Sequence, residues 1–380
     1  MRHAVQASSF GRSRKEADLH LYLHIPFCHH ICPYCGFYKH KPGRLANAEF
    51  VDAILAEAKK RSDGKPLVPE TVYFGGGTPT LLSASLLERL ITGLREVFDL
   101  SHVQEWTVEA NPATFDLKKA SRIRALGPDR ISLGIQSFQT EVLKTLGRDH
   151  SPIDAIEAYE TLREAGFENI SIDLMFSIPG QSPFHWQSDL EQAVSLGPNH
   201  FSAYNLTYEE DTEFLTRHRK GELDTNEDRD ADLFYQSIDF LESAGYRHYE
   251  ISNYARPGFE SRHNQAYWAG ADYLGLGPGA VSTMDGLRWK TVPDTAAYVR
   301  ASQSGLDTRT DIEVLTAEDR RIESIAMQLR TAKGIPTGLL PRPNPLESLI
   351  EQGLVREQDG VIFLTRTGKA LADPIAAELV

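Results

Sequence analysis

Short apolar runs alternate with longer amphipathic stretches between residues 19 and 252. The short runs are rich in β-branched and aromatic residues, which predicts buried strands. The longer stretches repeat apolar residues at three- and four-residue spacing, which predicts helices packed on one face. The predicted strands are Leu21–Ile25, Thr71–Phe74, Trp106–Ala110, Ile131–Ile135, Ile170–Phe176 and Phe201–Leu206. The predicted helices between them are Ala48–Arg61, Ser83–Val97, Leu117–Leu126, Pro152–Ala165 and Phe184–Ser195.

This alternation predicts parallel βαβ units with right-handed crossovers. The fold class is therefore α/β, with a twisted sheet or partial (β/α)6 barrel over residues 20–252. Functional side chains are expected at the carboxyl ends of the strands, where such folds place their sites. A further helix, Asp228–Ala244, and a strand, Arg247–Ile251, complete this part. The glycine-rich stretch Gly270–Gly286 is predicted to be a loop region that lines the site.

The pattern changes after a polar connection near residues 302–310. Helices are predicted at Ala317–Arg330, Leu346–Gln352 and Gly368–Leu379. A hairpin is predicted around Asp359-Gly360, a dipeptide typical of type I′ turns, with strands at 354–357 and 361–365. The helix–helix–hairpin order of residues 310–380 resembles a winged-helix module. Residues 253–309, which lie before this module, are expected to complete the site. We expect this module to pack or bind a partner, because its acidic residues outnumber its basic ones.

Charge and hydropathy exclude two classes of protein. The 380-residue chain has a formal net charge of −13, which argues against nucleic acid as a partner. No apolar run approaches the roughly 18–20 residues that span a bilayer. Residues 1–19 weakly resemble a transit peptide, but Glu16 and Asp18 oppose that interpretation and favour a disordered extension. The expected location is the cytoplasm.

The three cysteines of the chain, Cys28, Cys32 and Cys35, lie within eight consecutive positions. An odd number cannot form a closed disulfide framework, so the cluster indicates a shared ligand in a reducing compartment. Three thiolates with C-x3-C-x2-C spacing can bind three irons of a [4Fe–4S] cluster. The fourth iron is then open to a small molecule or is bound by a histidine.

Two other interpretations of the cysteines remain open at this point. The thiolates and a histidine could hold zinc, although structural zinc sites usually draw ligands from two segments. Thiol redox chemistry at Cys32 and Cys35 is the other, but it leaves Cys28 unexplained. The candidate zinc histidines are His24, His29, His30 and His40.

A second candidate element is the run of three glycines and Thr78 that directly follows the second predicted strand. Glycine lets the backbone approach a ligand closely and adopt positive φ angles. A tight strand–helix turn would need the same residues. Polar residues also lie at or near the ends of later strands, namely Glu109, Gln136, Arg148 and Asp173. Each alone could be a strand-end cap or a core hydrogen bond.

The cysteine motif, preceded by Tyr-Leu-His-Ile-Pro-Phe at residues 22–27, resembles that of the radical-SAM superfamily. The similarity is to the branch of oxygen-independent coproporphyrinogen III dehydrogenase and the HemW-type heme chaperones, over nearly the whole chain. It implies that the three cysteines hold a [4Fe–4S] cluster whose open iron binds S-adenosylmethionine (SAM). Such a cluster supplies the electron that cleaves SAM to a 5′-deoxyadenosyl radical.

The resemblance also implies the SAM contacts. Arg148 suits the SAM carboxylate, because a guanidinium binds carboxylates in a bidentate, charge-assisted manner. Acidic and amide groups suit the ribose hydroxyls and the ammonium. The implied SAM-binding residues are Tyr22, Gly76, Gly77, Thr78, Glu109, Gln136, Arg148, Asp173, Thr207 and Val281.

Two features place the chain within the branch. Phe37 occupies the position of an additional cysteine in the dehydrogenase pattern, whereas Gly36 is shared with that pattern. Residues 263–268 match the H-N-x-x-Y-W motif of the heme chaperones. Imidazole ligates heme iron and aromatic rings stack on porphyrins. A helix with buried aromatic residues is the alternative. The implied heme-binding residues are His263, Asn264, Tyr267 and Trp268.

The sequence thus predicts a radical-SAM-type heme chaperone, with heme as cargo and an acceptor hemoprotein as partner, for which a membrane location is one option. An electron donor for the cluster is also expected. We do not expect coproporphyrinogen III dehydrogenase activity, which is the alternative function. A structural iron–sulfur protein that uses SAM only as a ligand is the third hypothesis.

Overall fold

The computed structural model describes residues 19–43, 47–64, 66–341 and 344–380. The predicted N-terminal extension lies outside the described residues, up to residue 18. The strands are β1 Leu19–Ile25, β2 Pro69–Gly76, β3 Glu105–Ala110, β4 Arg130–Gln136, β5 Asn169–Phe176, β6 His200–Asn205, β7 Arg247–Glu250, β8 Asn253–Ala255, β9 Asp272–Leu276, β10 Val281–Met284, β11 Leu287–Thr291, β12 Arg309–Val314, β13 Ile335–Pro336, β14 Val355–Gln358 and β15 Val361–Leu364.

The helices connect these strands and cover the sheet. They are α1 Asn47–Ser62, α2 Ala84–Val97, α3 Leu117–Ala125, α4 Thr140–Thr145, α5 Pro152–Glu164, α6 Pro183–Leu196, α7 Glu213–Arg219, α8 Glu227–Ser243, α9 Arg262–Trp268, α10 Thr295–Gln303, α11 Ala317–Gln328, α12 Leu346–Glu351, α13 Arg366–Lys369 and α14 Ala372–Leu379. Of the described helices, none combines the length and apolar composition that a bilayer crossing requires.

Strands β1 to β6 are parallel and adjacent in chain order, and one or two helices follow each of the first five. This is the predicted α/β partial (β/α)6 barrel, so the fold-class prediction is confirmed. All six predicted strands agree with the observed ones within two residues at each end, and the five helices within one. The prediction succeeds because burial on one face sets a clear period in each element.

The two faces of the parallel strands differ in polarity. In β1, for example, Leu21 and Leu23 belong to the apolar core beneath the helices. The alternate residues of the strands point to the inside of the curved sheet. They are mostly polar and contact one another there. Ser132 of β4 donates to Asp173 of β5 (2.8 Å), and Ser171 of β5 is hydrogen-bonded to His200 of β6 (2.8 Å). The interior of the barrel is therefore a polar network.

The sheet continues beyond both edges of the barrel to twelve strands among the described residues. Strand β9 lies parallel beside β1 and leads into antiparallel β10, β11 and β12, while β8 and β7 extend the β6 edge. Strand β12 straddles the predicted domain boundary at residue 309. The connection to the C-terminal module therefore begins within the large sheet.

The prediction of a loop at Gly270–Gly286 is wrong, because this stretch contains β9 and β10. Its glycines serve close packing of strands. Gly275 lies within β9, and a Cβ atom at this position would lie 2.1 Å from the Val281 carbonyl oxygen. Glycine in a strand interior can mark such a close backbone approach. A glycine-rich segment therefore gave the pattern of a loop while folding as sheet.

The C-terminal module has its own apolar core and a three-stranded sheet in the order β13-β15-β14. The predicted hairpin is confirmed: Asp359 and Gly360 both have positive φ angles, 54° and 75°, as a type I′ turn requires. The predicted single helix Gly368–Leu379 is wrong, because two short helices, α13 and α14, occupy this stretch. Leu371 between them adopts φ −118° and ψ 27°, which is outside the helical region.

Candidate functional site

The three cysteines lie on the loop that follows β1, at the carboxyl end of the barrel strands. The Cys28 amide donates to the His40 carbonyl (3.0 Å), and the His40 amide donates to the Pro26 carbonyl (2.9 Å). These bonds close the loop into a compact unit. All three thiols line a cavity of about 1420 Å³ that opens above the barrel.

Two of the three thiols accept a hydrogen bond from another part of the site. The Thr78 hydroxyl donates to the Cys28 sulfur (3.8 Å), and Arg148 Nη1 donates to the Cys32 sulfur (3.7 Å). Burial raises the pKa of Cys28 to about 11, although the Thr78 hydrogen bond opposes this. Burial likewise raises the pKa of Cys35. Because metal binding needs thiolates, loading this loop would release protons.

The thiols are not arranged around one point. Within the described ranges, no three His, Cys, Asp or Glu side chains converge where a single metal ion could be held. A [4Fe–4S] cluster does not need such convergence, since each thiolate binds a different iron.

Two of the four histidines considered as zinc ligands are engaged elsewhere. His24 Nε2 donates to the Tyr38 carbonyl (2.7 Å), and His40 Nε2 is hydrogen-bonded to the Thr295 hydroxyl (2.8 Å). The other two, His29 and His30, line the cavity beside the cysteines.

The glycine turn after β2 lies against the cysteine loop. The Gly77 amide donates to the Ile25 carbonyl (2.8 Å), and the Thr78 amide donates to the Phe27 carbonyl (2.8 Å). Gly76 has φ +109°, and a Cβ atom there would lie 2.7 Å from the His24 ring. Glycine is therefore required by both backbone conformation and close packing. The turn brings its backbone to the edge of the cavity.

Two half-buried carboxylates lie at the carboxyl end of the barrel. Glu109 accepts hydrogen bonds from the Tyr73 hydroxyl (2.9 Å) and the Gly76 amide (3.1 Å). Its burial raises its pKa to about 7, although both hydrogen bonds oppose the shift. Asp173 accepts from the hydroxyls of Ser132 (2.8 Å) and Ser171 (3.0 Å), and burial raises its pKa as well.

Gln136 and Arg148 complete the polar lining. Gln136 ends β4 with φ +71°, where the pairing with β5 shifts register. Such a conformation is uncommon for a residue other than glycine and is concentrated at functional sites. Arg148 Nη2 donates to the Gly134 carbonyl (2.8 Å). Its Nε is shielded from solvent and has no partner among the described residues, so it remains available to an anion.

Most of the predicted SAM-binding set is brought together here. The members that line the cavity are Gly76, Gly77, Thr78, Glu109, Gln136, Arg148, Asp173 and Thr207. Tyr22 and Val281 are not part of the lining. Tyr22 lies in β1 and donates its hydroxyl hydrogen to His24 Nδ1 (3.0 Å), and Val281 lies in β10, paired with Lys290. None of residues 253–309 lines the cavity, although this segment was expected to complete the site.

Sequence reasoning missed several lining residues. Tyr73, Ser132 and Tyr204 occupy the inward-facing positions of their strands, so the two-residue period could have identified them. Arg330 and Leu371 come from the C-terminal module and gave no local signal. Acidic residues at 209–211 and 227–230 also border the cavity.

The H-N-x-x-Y-W segment forms α9 at the opposite, amino-terminal end of the barrel strands. His263 is only 8% exposed, and its Nδ1 is hydrogen-bonded to the hydroxyl of Thr71, near the start of β2 (2.7 Å). Burial lowers the pKa of His263 to about 3. Asn264 and Trp268 are half-buried, and Tyr267 is 47% exposed.

The residues around the cavity fit a [4Fe–4S] cluster and SAM. Three thiols on one loop match three irons. The unpartnered Arg148 Nε suits a carboxylate, and the carboxylates of Glu109 and Asp173 suit an ammonium and ribose hydroxyls.

Comparisons with known proteins agree with this geometry. The family model described as Radical SAM superfamily matches residues 22–193. The chain is 38% identical to the heme chaperone HemW of Lactococcus lactis over 315 residues, which cover 83% of this chain and 82% of that protein. It is 34% identical to HemW of Bacillus subtilis, over 93% of this chain and 97% of the relative. HemW of Escherichia coli is 35% identical, with 93% and 96% covered.

Among solved structures, coproporphyrinogen III oxidase (HemN) from Escherichia coli, described as a radical SAM enzyme, has the same fold. The TM-score is 0.83 at 24% identity, over 97% of this chain and 91% of that chain. Radical-SAM membership implies a [4Fe–4S] cluster and SAM as cofactors, in agreement with the cysteine loop. The chain belongs to the HemW heme chaperone family of the radical-SAM superfamily.

Proposed function

We propose that this protein is a heme chaperone that binds a [4Fe–4S] cluster, SAM and heme, and transfers the heme to an acceptor hemoprotein. The names of its relatives support the chaperone role. The observation in the structure that supports a large cargo is the size of the cavity above the barrel. At about 1420 Å³, it exceeds the roughly 300–1,000 Å³ of a pocket for one small molecule.

The lining of this cavity combines polar and apolar side chains. The polar ones include Glu109, Arg148 and Asp173. Phe37 and Leu371 are exposed apolar members of the lining and can cover part of a flat, largely apolar macrocycle. The cavity thus offers polar groups for SAM and exposed apolar surface for heme.

SAM binding is assigned to the polar groups. Cys28, Cys32 and Cys35 hold the cluster. Arg148 pairs with the SAM carboxylate through its Nε, which has no partner among the described residues. Glu109 and Asp173 contact the ammonium and the ribose hydroxyls, with Gln136 and the glycine turn beside them. The remaining predicted contacts from Tyr22, Thr207 and Val281 stay predictions.

Two sets of histidines in the chain are candidates for the heme ligand. His29 and His30 are exposed, border the cavity and can approach the iron of a heme bound there. His263 was predicted to bind heme together with Asn264, Tyr267 and Trp268, but it lies buried at the other end of the barrel. The cavity histidines are therefore the ligands that this geometry favours.

The second candidate function is oxidative decarboxylation of coproporphyrinogen III. The fold that the chain shares with HemN supports this alternative. Phe37 distinguishes the two. It lines the cavity with 72% of its surface exposed and has no thiol to offer. An exposed aromatic ring at the entrance suits contact with a porphyrin face.

The test compares both activities in one anaerobic preparation loaded with the cluster. With SAM and a reductant present, heme should bind at a defined stoichiometry and pass to an added apo-hemoprotein, while coproporphyrinogen III stays unchanged. The double variant with His29 and His30 replaced by alanine should alter the heme spectrum and retain the cluster. Decarboxylated porphyrin would instead establish the enzyme, and lack of heme binding would refute the chaperone.

The remaining parts of the proposal concern the setting of the protein. Its cluster requires an electron donor, and its cysteine usage favours the reducing cytoplasm. Fractionation of cells that produce the full chain would test this location. The acceptor can be identified by heme transfer to purified apo-hemoproteins, including membrane-bound ones.

A further inference from the structure

The His263 side chain occupies a fixed position at the amino-terminal end of the barrel. Glu105 of β3 accepts hydrogen bonds from the backbone amides of Arg262 (2.9 Å) and His263 (3.1 Å), which holds the first turn of α9 against the sheet. The Thr71 hydroxyl is bonded to His263 Nδ1 (2.7 Å) and to His20 Nδ1 (2.8 Å). His263 does not line the cavity above the barrel, so it cannot ligate the iron of a heme bound there.

The ring of His263 packs against Tyr73. The two ring centroids are 5.0 Å apart at an interplanar angle of 32°. Such contacts between rings favour a defined mutual orientation. Tyr73 is thus supported from the amino-terminal end of the barrel, while its hydroxyl points toward the carboxyl end.

The hydroxyl of Tyr73 links this packing to the cavity. It donates to Glu109 Oε1 (2.9 Å), and Glu109 Oε2 accepts from the Gly76 amide (3.1 Å). A Cβ atom on Gly75 would lie 2.9 Å from Tyr73 Cε1 and 3.0 Å from Glu109 Oε1. Tyr73 and Glu109 therefore fill the space beneath the glycine turn and restrain its shape.

We propose that His263 is a positioning residue of the SAM site: its ring holds Tyr73 in the orientation that orders Glu109 and the glycine turn. The inference rests on the proposed SAM-binding role of Glu109. The buried histidine of the H-N-x-x-Y-W motif then supports SAM binding, and other residues ligate heme.

Two substitutions of His263 separate these roles. His263→Phe keeps an aromatic ring against Tyr73 but cannot ligate iron, and His263→Ala removes both. The expected result is that His263→Ala weakens SAM binding by roughly three- to tenfold, the scale of a lost aromatic pair. His263→Phe should retain most of the wild-type SAM affinity. Both variants should keep the wild-type absorption spectrum of bound heme.

Tyr73→Phe tests the hydrogen bond between Tyr73 and Glu109. It removes only a hydroxyl and leaves no cavity, so it remains a usable test if His263→Ala folds poorly. It should weaken SAM binding by about tenfold, since it removes a hydrogen bond to a carboxylate. Tyr298→Phe is the matched control, because Tyr298 donates to the buried Glu57 (2.9 Å) away from the cavity. The double variant His263→Ala/Tyr73→Phe should lose less than the product of the single effects.

SAM affinity is measured by equilibrium titration of anaerobic, cluster-loaded protein, with iron content and thermal midpoint checked for every variant. Unchanged SAM affinity in His263→Ala, or no recovery in His263→Phe, would overturn the proposal. A changed heme spectrum in both variants would instead assign His263 as an iron ligand and also overturn it. If the wild-type protein binds no heme, the chaperone function fails, while the SAM titrations still decide the role of His263.

Discussion

Glu109→Gln should change the pH dependence of stability in a direction that the structure fixes. Burial raises the pKa of Glu109 from 4.5 to about 7 in the folded protein. Between these values the folded protein keeps a proton on this carboxyl that the unfolded chain has released. Wild-type stability from this group is therefore fully present below pH 4.5 and is lost as the pH rises through 7.

The expected loss is about 3 kcal/mol, because each pKa unit corresponds to about 1.4 kcal/mol of free energy. Glutamine resembles the protonated acid: it offers one acceptor and one donor group and does not titrate. The variant should thus gain stability relative to wild type by about this amount between pH 4.5 and 8. The glutamine side chain makes a poorer contact with Tyr73 or Gly76 at every pH. This lowers the stability of the variant by the same amount at low and at high pH.

Thermal or urea unfolding of SAM-free protein at half-unit pH steps measures this difference. Tyr73, Arg130 and Asp173 face Glu109 and shift its pKa, but they are present in both proteins. Subtraction of the two curves therefore isolates Glu109. Parallel stability curves for the two proteins would refute the reasoning. A companion titration should show SAM binding that strengthens from pH 6 to 8 in wild type only, if the ionised carboxylate contacts SAM.

Three further outcomes follow from the site and the sheet. Cys32→Ala should abolish the cluster, measured as iron and acid-labile sulfide per chain; retention of full cluster content would exclude its role as a ligand. Arg148→Ala should weaken SAM binding by about ten- to a hundredfold with the cluster intact, because hydrogen bonds to charged groups contribute about 1.5–3 kcal/mol. Gly275→Ala should lower the thermal midpoint by placing Cβ 2.1 Å from a carbonyl oxygen, whereas Gly338→Ala, which meets no atom within 4 Å, should not.

The sequence was sufficient for the barrel because its strands and helices bury one face each. The strands of the β9–β10 region escaped prediction for the opposite reason. Their glycines are needed where backbones approach one another, as at Gly275, and such residues lower strand propensity. The break between α13 and α14 did have a local signal: Pro374 lacks an amide hydrogen and is tolerated only in the first turn of a helix, which marks the start of α14.

Site prediction shows a similar division. Residues at or near strand ends, such as Glu109 and Asp173, were identifiable because parallel strands bring their carboxyl ends together. Leu371 borders the cavity only because a separate module packs beside the barrel. The position of His263 likewise depends on tertiary structure: its neighbours in α9 are half-buried or exposed, and nothing in the local pattern indicates that this imidazole is buried against Thr71.

Three departures from ordinary folding preferences lie at the cavity. Gln136 adopts a left-handed conformation, the Arg148 Nε has no partner in the described part of the chain, and the half-buried Glu109 has a raised pKa. Each of these features costs stability in the free protein. A zwitterionic ligand would offset the second and third, because its carboxylate can pair with Arg148 and its ammonium with Glu109. The barrel is therefore arranged for a ligand that has both charges, and SAM meets that requirement whether or not it is cleaved.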